Sequence, residues 1–504
     1  MNTMLHNPVL FAAAPDWVMS WVTTLWLLSL GCTAGLLLLL LAWAVMWVVW
    51  RRAAKLVPLT VSEGVLLPVT WILAGMVLFA VVGYFISAMP NGLLESLVRL
   101  PLGGSRTVTA EIPVGAVNHP VPINLEAREA VDFSMSSDEI VDVTNAATPE
   151  EQFGAAIELG GANEAFAWTR RTTTTVLLNG RFVENLYVTN LSDLPAKFTV
   201  KMTTGPVFPE VKAVPITAIA VFCFYAIYLI QSWFFPRLSA IALSTSKSEL
   251  AQPLFGILLA LGIFFLLLFL FLPYNTFGED IKMLKDSGLT LIMIFGIVLG
   301  VWSASNSVAE EIEGRTALTV LSKPISRWEF ILGKLSGILW TVSLLFIFLG
   351  LTFLVVIAYK PVFDGREMGL ETPDWTSAHM EVMLTVPGLV LAFFEVAVLT
   401  ALSVAISTRL PMMANFVICF AIYVLGHITP LIVQAPIQFA PVVFVGQFIA
   451  TILPVLDHFN IQAAIAAGKG VPMVYLGWSF VYCLLYSGIA VLLALALFED
   501  RDLA

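Results

Sequence analysis

Glu310-Glu311-Ile312-Glu313-Gly314-Arg315-Thr316-Ala317-Leu318-Thr319-Val320-Leu321-Ser322-Lys323-Pro324-Ile325-Ser326-Arg327 is a charged island between two long apolar runs. The chain around it is 59% hydrophobic and 12% charged, with a mean hydropathy of +0.91. So polar a segment in such a chain stands in water beside a membrane, offering acids, bases and a Lys-Pro corner to a soluble partner. The flanking runs decide the fold class. A helix needs roughly 20 apolar residues to cross about 30 Å of hydrocarbon. Runs of that kind lie near 22–50, 65–88, 213–235, 253–273, 288–305, 335–358, 387–407, 412–432 and 474–498. They predict a polytopic α-helical membrane protein of about nine transmembrane helices, which excludes a soluble enzyme.

The first run is an anchor rather than a removable signal. No Lys or Arg precedes Arg51, and the apolar stretch far exceeds a signal core of about 7–15 residues. Trp17, Trp21 and Trp26 near one end, and Trp43, Trp47 and Trp50 near the other, fit aromatic belts at two interfaces. The four cysteines, Cys32, Cys223, Cys419 and Cys483, fall inside apolar runs and read as small buried hydrophobes. Cys, His and Met spacings give no metal site. The net charge is −10, and no basic tract points to nucleic acid.

Lys and Arg of short loops mark the cytoplasmic side. Arg51, Arg52 and Lys55 follow the first run and place its end inside. Alternation then puts Arg237, Lys247, Arg315, Lys323, Arg327, Lys334, Arg409 and Arg501 inside, with Lys282, Lys285, Lys360, Arg366 and Lys469 outside. The expected topology is N-terminus outside and C-terminus cytoplasmic. Residues 1–90 form a two-helix membrane hairpin, 91–212 an extracytoplasmic domain, 213–235 a third transmembrane helix and 236–504 a six-helix unit.

Residues 91–212 hold 15 acids and 9 bases. Stretches 107–112, 121–133, 166–178, 185–190 and 196–204 alternate or run in β-branched residues, and Asn179-Gly180 is a hairpin signal. A β-sandwich-like domain is expected. It serves as a rigid accessory module or as a docking site for an extracytoplasmic partner or substrate.

The island has local logic. Val308, Ile312 and Leu318–Leu321 line one face of a short helix whose early acids favour its dipole. Pro324 forces Lys323 out of helical geometry and ends it. Ser326-x-x-Glu329 is a capping box for the next helix, with Ile325 and Phe330 placed as a staple. Ser246-x-x-Glu249 is a second, weaker box of that kind.

The order Thr316, Leu318, Leu321, Ser322-Lys323-Pro324-Ile325-Ser326-Arg327, Trp328-Glu329, Gly333-Lys334 resembles the intracellular coupling region of type-2 ABC transporter permeases. Leu402-Ser403, Ser407-Thr408-Arg409 and Tyr423–His427 resemble later parts of the same pattern, so the likeness covers about 236–504. Arg315-Thr316 departs from the Gly-Thr of many relatives, and residues 1–235 lie outside the family core. The resemblance implies the permease subunit of an ATP-driven exporter in a bacterial inner membrane. It also implies a coupling region at 306–334, an interfacial helix after Ser244–Glu249, and pairing of two permeases, as a homodimer or with a second permease. A separate ABC ATPase subunit would carry ATP and Mg²⁺. The chain itself binds no cofactor: no Gly-x-x-x-x-Gly-Lys-Ser/Thr occurs, since Gly333-Lys334 is followed by Leu335. Glu310, Glu311, Glu313, Arg315, Thr316, Ser322, Lys323 and Pro324 become the ATPase-coupling residues, with Arg327 anchoring the corner. None performs bond chemistry.

Glu395 is the one acid near the middle of a run. Such a carboxylate costs at least about 2–3 kcal/mol and faces a cavity or a polar partner. It reads either as a transport-pathway residue or as a neutral or paired structural group; no Lys or Arg inside the runs offers itself as partner. His427, near Thr429-Pro430, reads as a packed histidine. Residues 434–473, with Pro436, Pro441 and Pro454, suit a partly re-entrant hairpin. Two rival readings are a proton-coupled secondary transporter using Glu395 and a membrane-anchored assembly factor acting through the β domain.

Overall fold

The computed structural model describes residues 15–85, 92–100, 104–126, 129–146, 156–160, 165–169, 182–272, 280–309, 325–369, 371–434 and 440–499. It separates into two compact units, Met1–Ala88 with Ala213–Ala504, and Met89–Lys212. Of the described residues, 73% are helical. Among the described residues, nine helices are long and apolar enough to cross a membrane, as the apolar runs predict.

The membrane unit opens with α1 (Asp16–Val49), α2 (Arg51–Ser62) and α3 (Leu67–Phe85). It resumes with α5 (Ala213–Phe234), α6 (Pro236–Ala251), α7 (Pro253–Phe271), α8 (Asp280–Ala304), α9 (Arg327–Glu367) and α10 (Trp375–Ser407). It closes with α11 (Met412–Gln434), α12 (Ala440–Ile452), α13 (Gln462–Ala466) and α14 (Met473–Glu499). α1 packs along α3 and α5. Gly31 makes this approach feasible, because a Cβ there would lie 2.5 Å from Thr217 Cβ. Trp26 departs from its expected interface position. It is buried, and its indole N–H donates to the Ala80 carbonyl at 3.0 Å. Trp43 donates likewise to Ala54 and ties α2 back to α1. Cys223 is exposed on α5, unlike the buried Cys419 and Cys483.

α8, α9 and α10 form the most buried part of the unit, around Leu289, Ile292, Phe353, Val396 and Val404. α9 runs 41 residues and α10 33, beginning well before the apolar runs that marked them. Hydropathy found only their lipid-compatible centres, whereas helical geometry continues through polar ends braced by neighbours. Lys285 and Lys360, expected in loops, are accordingly buried within α8 and α9. Each is 1% exposed and paired, Lys285 with Glu381 and Lys360 with Asp364. The segment expected to be re-entrant contains a broken helix pair, Phe444–Ile452 and Leu456–Ala466, bent by 59°.

Among its described residues the second unit holds α4 (Leu93–Arg99) and then eight strands: β1 (Gly104–Ile112), β2 (His119–Glu126), β3 (Ala130–Ser137), β4 (Val141–Thr144), β5 (Ile157–Leu159), β6 (Ala165–Thr169), β7 (Phe182–Asn190) and β8 (Ala196–Thr204). They form two antiparallel sheets ordered β1-β8-β3-β6 and β2-β7-β4-β5. One core joins Phe133, Phe198 and Val200 of the first sheet to Val121, Val143 and Leu186 of the second. β8 shows why: Ala196, Phe198, Val200 and Met202 alternate inward while Lys197 and Lys201 point out. The expected single strand over 121–133 is two strands in different sheets, β2 and β3. β4 and β5 are too short to register as alternation. Asn179-Gly180 lies outside the described residues.

Candidate functional site

The charged island can be described from its two shoulders. Glu310, Glu311, Glu313, Arg315, Thr316, Ser322, Lys323 and Pro324 lie outside the described residues, as does most of the helix expected before Pro324. On the far shoulder the capping box is present. The Glu329 carboxylate accepts from the Ser326 N–H at 2.8 Å and the Ser326 hydroxyl at 2.7 Å, and α9 starts at Arg327. Arg327 reaches Glu499 at 3.9 Å, an exposed pair that contributes little. The Phe330 and Phe498 rings stack at 5.8 Å and seat the end of α14 against this corner.

α6 braces the same corner. Arg237 lies 4.0 Å from Glu329, and α6 packs along the first turns of α9. Gly337 allows the approach, since a Cβ there would sit 2.6 Å from the Ala242 carbonyl. Ser246 lies inside α6, buried, and its hydroxyl donates to the Gly337 carbonyl at 2.6 Å. The Ser246–Glu249 capping box expected from sequence is therefore not a helix start. Pro236 begins this helix, and the serine glues two helices together instead.

The near shoulder is a π-helical turn, Ser305–Ala309, that follows α8 directly. Such turns are rare and mark functional positions. Asn415 of α11 fixes it: its amide nitrogen lies 2.8 Å from each of the Ser305, Ser403 and Ser407 hydroxyls. Ser305 already donates to the Val301 carbonyl, so its oxygen receives one amide proton. One proton remains for two serines, and the cluster has more than one way to satisfy itself.

From this cluster a polar stripe follows the α8–α10 contact. A Cβ at Gly300 would meet Thr400 Oγ1 at 2.2 Å, so the two helices touch nearly backbone to side chain. The Ser303, Ser307 and Thr400 hydroxyls are buried and have no hydrogen-bond partner among the described residues. At the stripe's other end Glu395 is 1% exposed, and its Oε1 makes no hydrogen bond. His427 Nε2 lies 3.5 Å from that oxygen. The other ring nitrogen, Nδ1, is 3.0 Å from the Tyr423 carbonyl, which only accepts, so Nδ1 carries a proton. Nε2 is left to face the carboxyl group, and the two side chains can hold a proton between them.

Sequence reading had found Glu395 but paired it with nothing. A Lys or Arg was sought, and the partner is a histidine 32 positions later on the next helix. Asn415 was missed as well: a single Asn in an apolar run signals little until Ser403, Ser407 and Ser305 are seen around it.

Residues 265–503 match the family model described as ABC-2 family transporter protein. No curated protein matches the chain.

Proposed function

From a chain whose residues 265–503 carry an ABC-2 family transporter domain, the membrane permease of an ABC transporter, we propose the membrane-spanning subunit of an ATP-driven exporter. A separate ATPase, binding ATP and Mg²⁺, docks on residues 306–334. In this reading Glu310, Glu311, Glu313 and Arg315 make the contact. Thr316, Ser322 and Lys323-Pro324 shape the corner that Ser326 and Arg327 close. The corner faces the cytoplasm of a cell whose inner membrane holds two such permeases, with the N-terminus on the opposite side.

The observation that carries this reading is the pair of shoulders. A capped, α6-braced start of α9 and an Asn415-held π turn are both fixed to the buried helices α8–α10. A push on the island therefore has two rigid levers into the membrane unit. One runs along α9; the other enters the serine stripe that ends at Glu395 and His427. Glu395 serves the transport pathway at that end.

The test is purification of the tagged full chain from its native membranes in mild detergent. A nucleotide-binding ATPase is expected to accompany it, and to be lost when Glu310, Glu311 and Glu313 are replaced by Lys. An intact, folded chain that brings no ATPase would transfer the assignment to a Glu395-driven secondary transporter or to an assembly factor acting through the β unit.

A further inference from the structure

One end of the β-sandwich is built unlike the rest of its surface. Among the described residues, three connections meet there in full: residues 113–118 after β1, 138–140 after β3, and 191–195 after β7. Backbone bonds lock them together, Asn190 N–H to the Ala116 carbonyl at 2.9 Å and Leu191 N–H to the Ile140 carbonyl at 3.0 Å. Asn190, only 5% exposed, acts as a clip. Its amide nitrogen reaches the carbonyls of Ile112, Pro113 and Leu194, and its oxygen accepts from Ser192. The first connection is a tight turn closed by Ala116 N–H to Pro113, with Gly115 at φ +67.

This rigid frame turns large apolar side chains outward. Val114, Val117, Ile140, Leu191 and Leu194 are all exposed, Val117 to 73%. A folded unit with Phe133, Phe198 and Leu186 fully buried has no need to leave five aliphatic groups together in water, and grouped exposure of this kind marks an interaction site. A pre-formed frame lowers the ordering cost of binding.

Charge selects the partner. Around the patch stand Glu111, Asp138, Glu139, Asp142, Glu158 and Asp193, with Lys197 the single base in these segments. An anionic bilayer surface would be repelled. A second copy meeting the patch by two-fold symmetry would set the same acids against each other. We infer that this end of the sandwich docks a different protein, one presenting an apolar pocket rimmed by Lys and Arg. It is also the end remote from Gly104 and Thr204, which face each other where the chain enters and leaves the sheet. The strands between span about 30 Å, so the patch stands clear of the unit's own connections.

The test uses the full chain in its native membranes, with a photo-crosslinking residue at Val117 or Leu191 and, as control, at Arg106 on the opposite end of β1. Adducts to one protein are expected from the first two positions and not from the third. Reversal of the exposed acids Glu111, Glu158 and Asp193 to Lys is expected to reduce the adduct at least about tenfold, as juxtaposed like charges do. Changing the partner's Lys or Arg residues beside the adduct to Glu is expected to restore it. Val117→Asp, a second variant outside the acidic rim, is expected to abolish the Leu191 adduct. Adducts only to a second copy, only to lipid, or to nothing would overturn the inference. So would a protein adduct indifferent to the charge reversal.

Discussion

α10 carries two carboxylates with opposite fates. Glu381 and Glu395 lie fourteen residues apart, about 21 Å along the helix axis. Glu381 pairs with Lys285, whose ammonium also approaches the Ile465 carbonyl, so the charges at that end of the helix are answered from α8 and α13. Glu395 is more deeply buried, yet among the described residues its Oε1 makes no hydrogen bond and faces an imidazole 3.5 Å away. The first arrangement spends its ionisable groups on holding α8, α10 and the broken pair together. The second leaves an oxygen without a hydrogen bond where a satisfied one would be more stable, an exception that the proposed pathway role would account for. Burial alone separates the two poorly; completeness of partnering separates them well.

The largest expected effect comes from breaking the complete pair. Glu381→Gln strands a buried ammonium and is expected to cost about 3–5 kcal/mol. Thermal unfolding of the purified chain should show the loss, and the double variant Lys285→Met with Glu381→Met should recover most of it. A single variant as stable as the parent would remove the structural half of the comparison. Glu395→Gln is the counterpart. Stability is expected to change by no more than about 1 kcal/mol. Transport, measured in vesicles with the partner ATPase, is expected to fall at least about tenfold, equivalent to about 1.4 kcal/mol on the limiting step. Unchanged transport would return Glu395 to a purely structural role.

Smaller effects sharpen the picture at the island. Gly337→Ala drives a methyl group into the α6 backbone and is expected to cost about 1–3 kcal/mol, with weakened ATPase association if α6 braces the docking corner. Ser326→Ala removes the cap of α9 at about 1 kcal/mol, and a fall in transport-coupled ATP hydrolysis larger than the fall in unfolding temperature would mark it as part of the coupling path. Arg327→Ala, losing only an exposed pair to Glu499, is expected to change stability by less than about 0.5 kcal/mol.

Much of this architecture was legible because lipid imposes a simple code. Apolar runs announced the membrane helices, and the Ser326–Glu329 spacing announced the start of α9 to the residue. The code fails where partners lie far apart in sequence. Lys285 read as a loop cation because Glu381, 96 residues later, was invisible to it. The same distance effect hid His427 from Glu395 and the serines from Asn415. In the sandwich, β2 and β3 merged into one expected strand although Glu126 and Glu129 interrupt the β-favouring residues between Leu125 and Val131, and those charges mark the place where the chain passes from one sheet to the other.

The pairing of Gly104 with Thr204 across β1 and β8 has a consequence for how such a chain is put together. Opposed residues in an antiparallel ladder stand about 4.5–5.5 Å apart, close to the 3.8 Å between consecutive Cα atoms. The whole sandwich thus hangs from a pair of neighbouring points, as a cassette that can be cut out and the cut ends rejoined through one or two residues. A chain lacking 105–203 keeps the original spacing between the segments that precede and follow the sandwich, so what the cassette contributes and what the helices contribute can be measured on one protein.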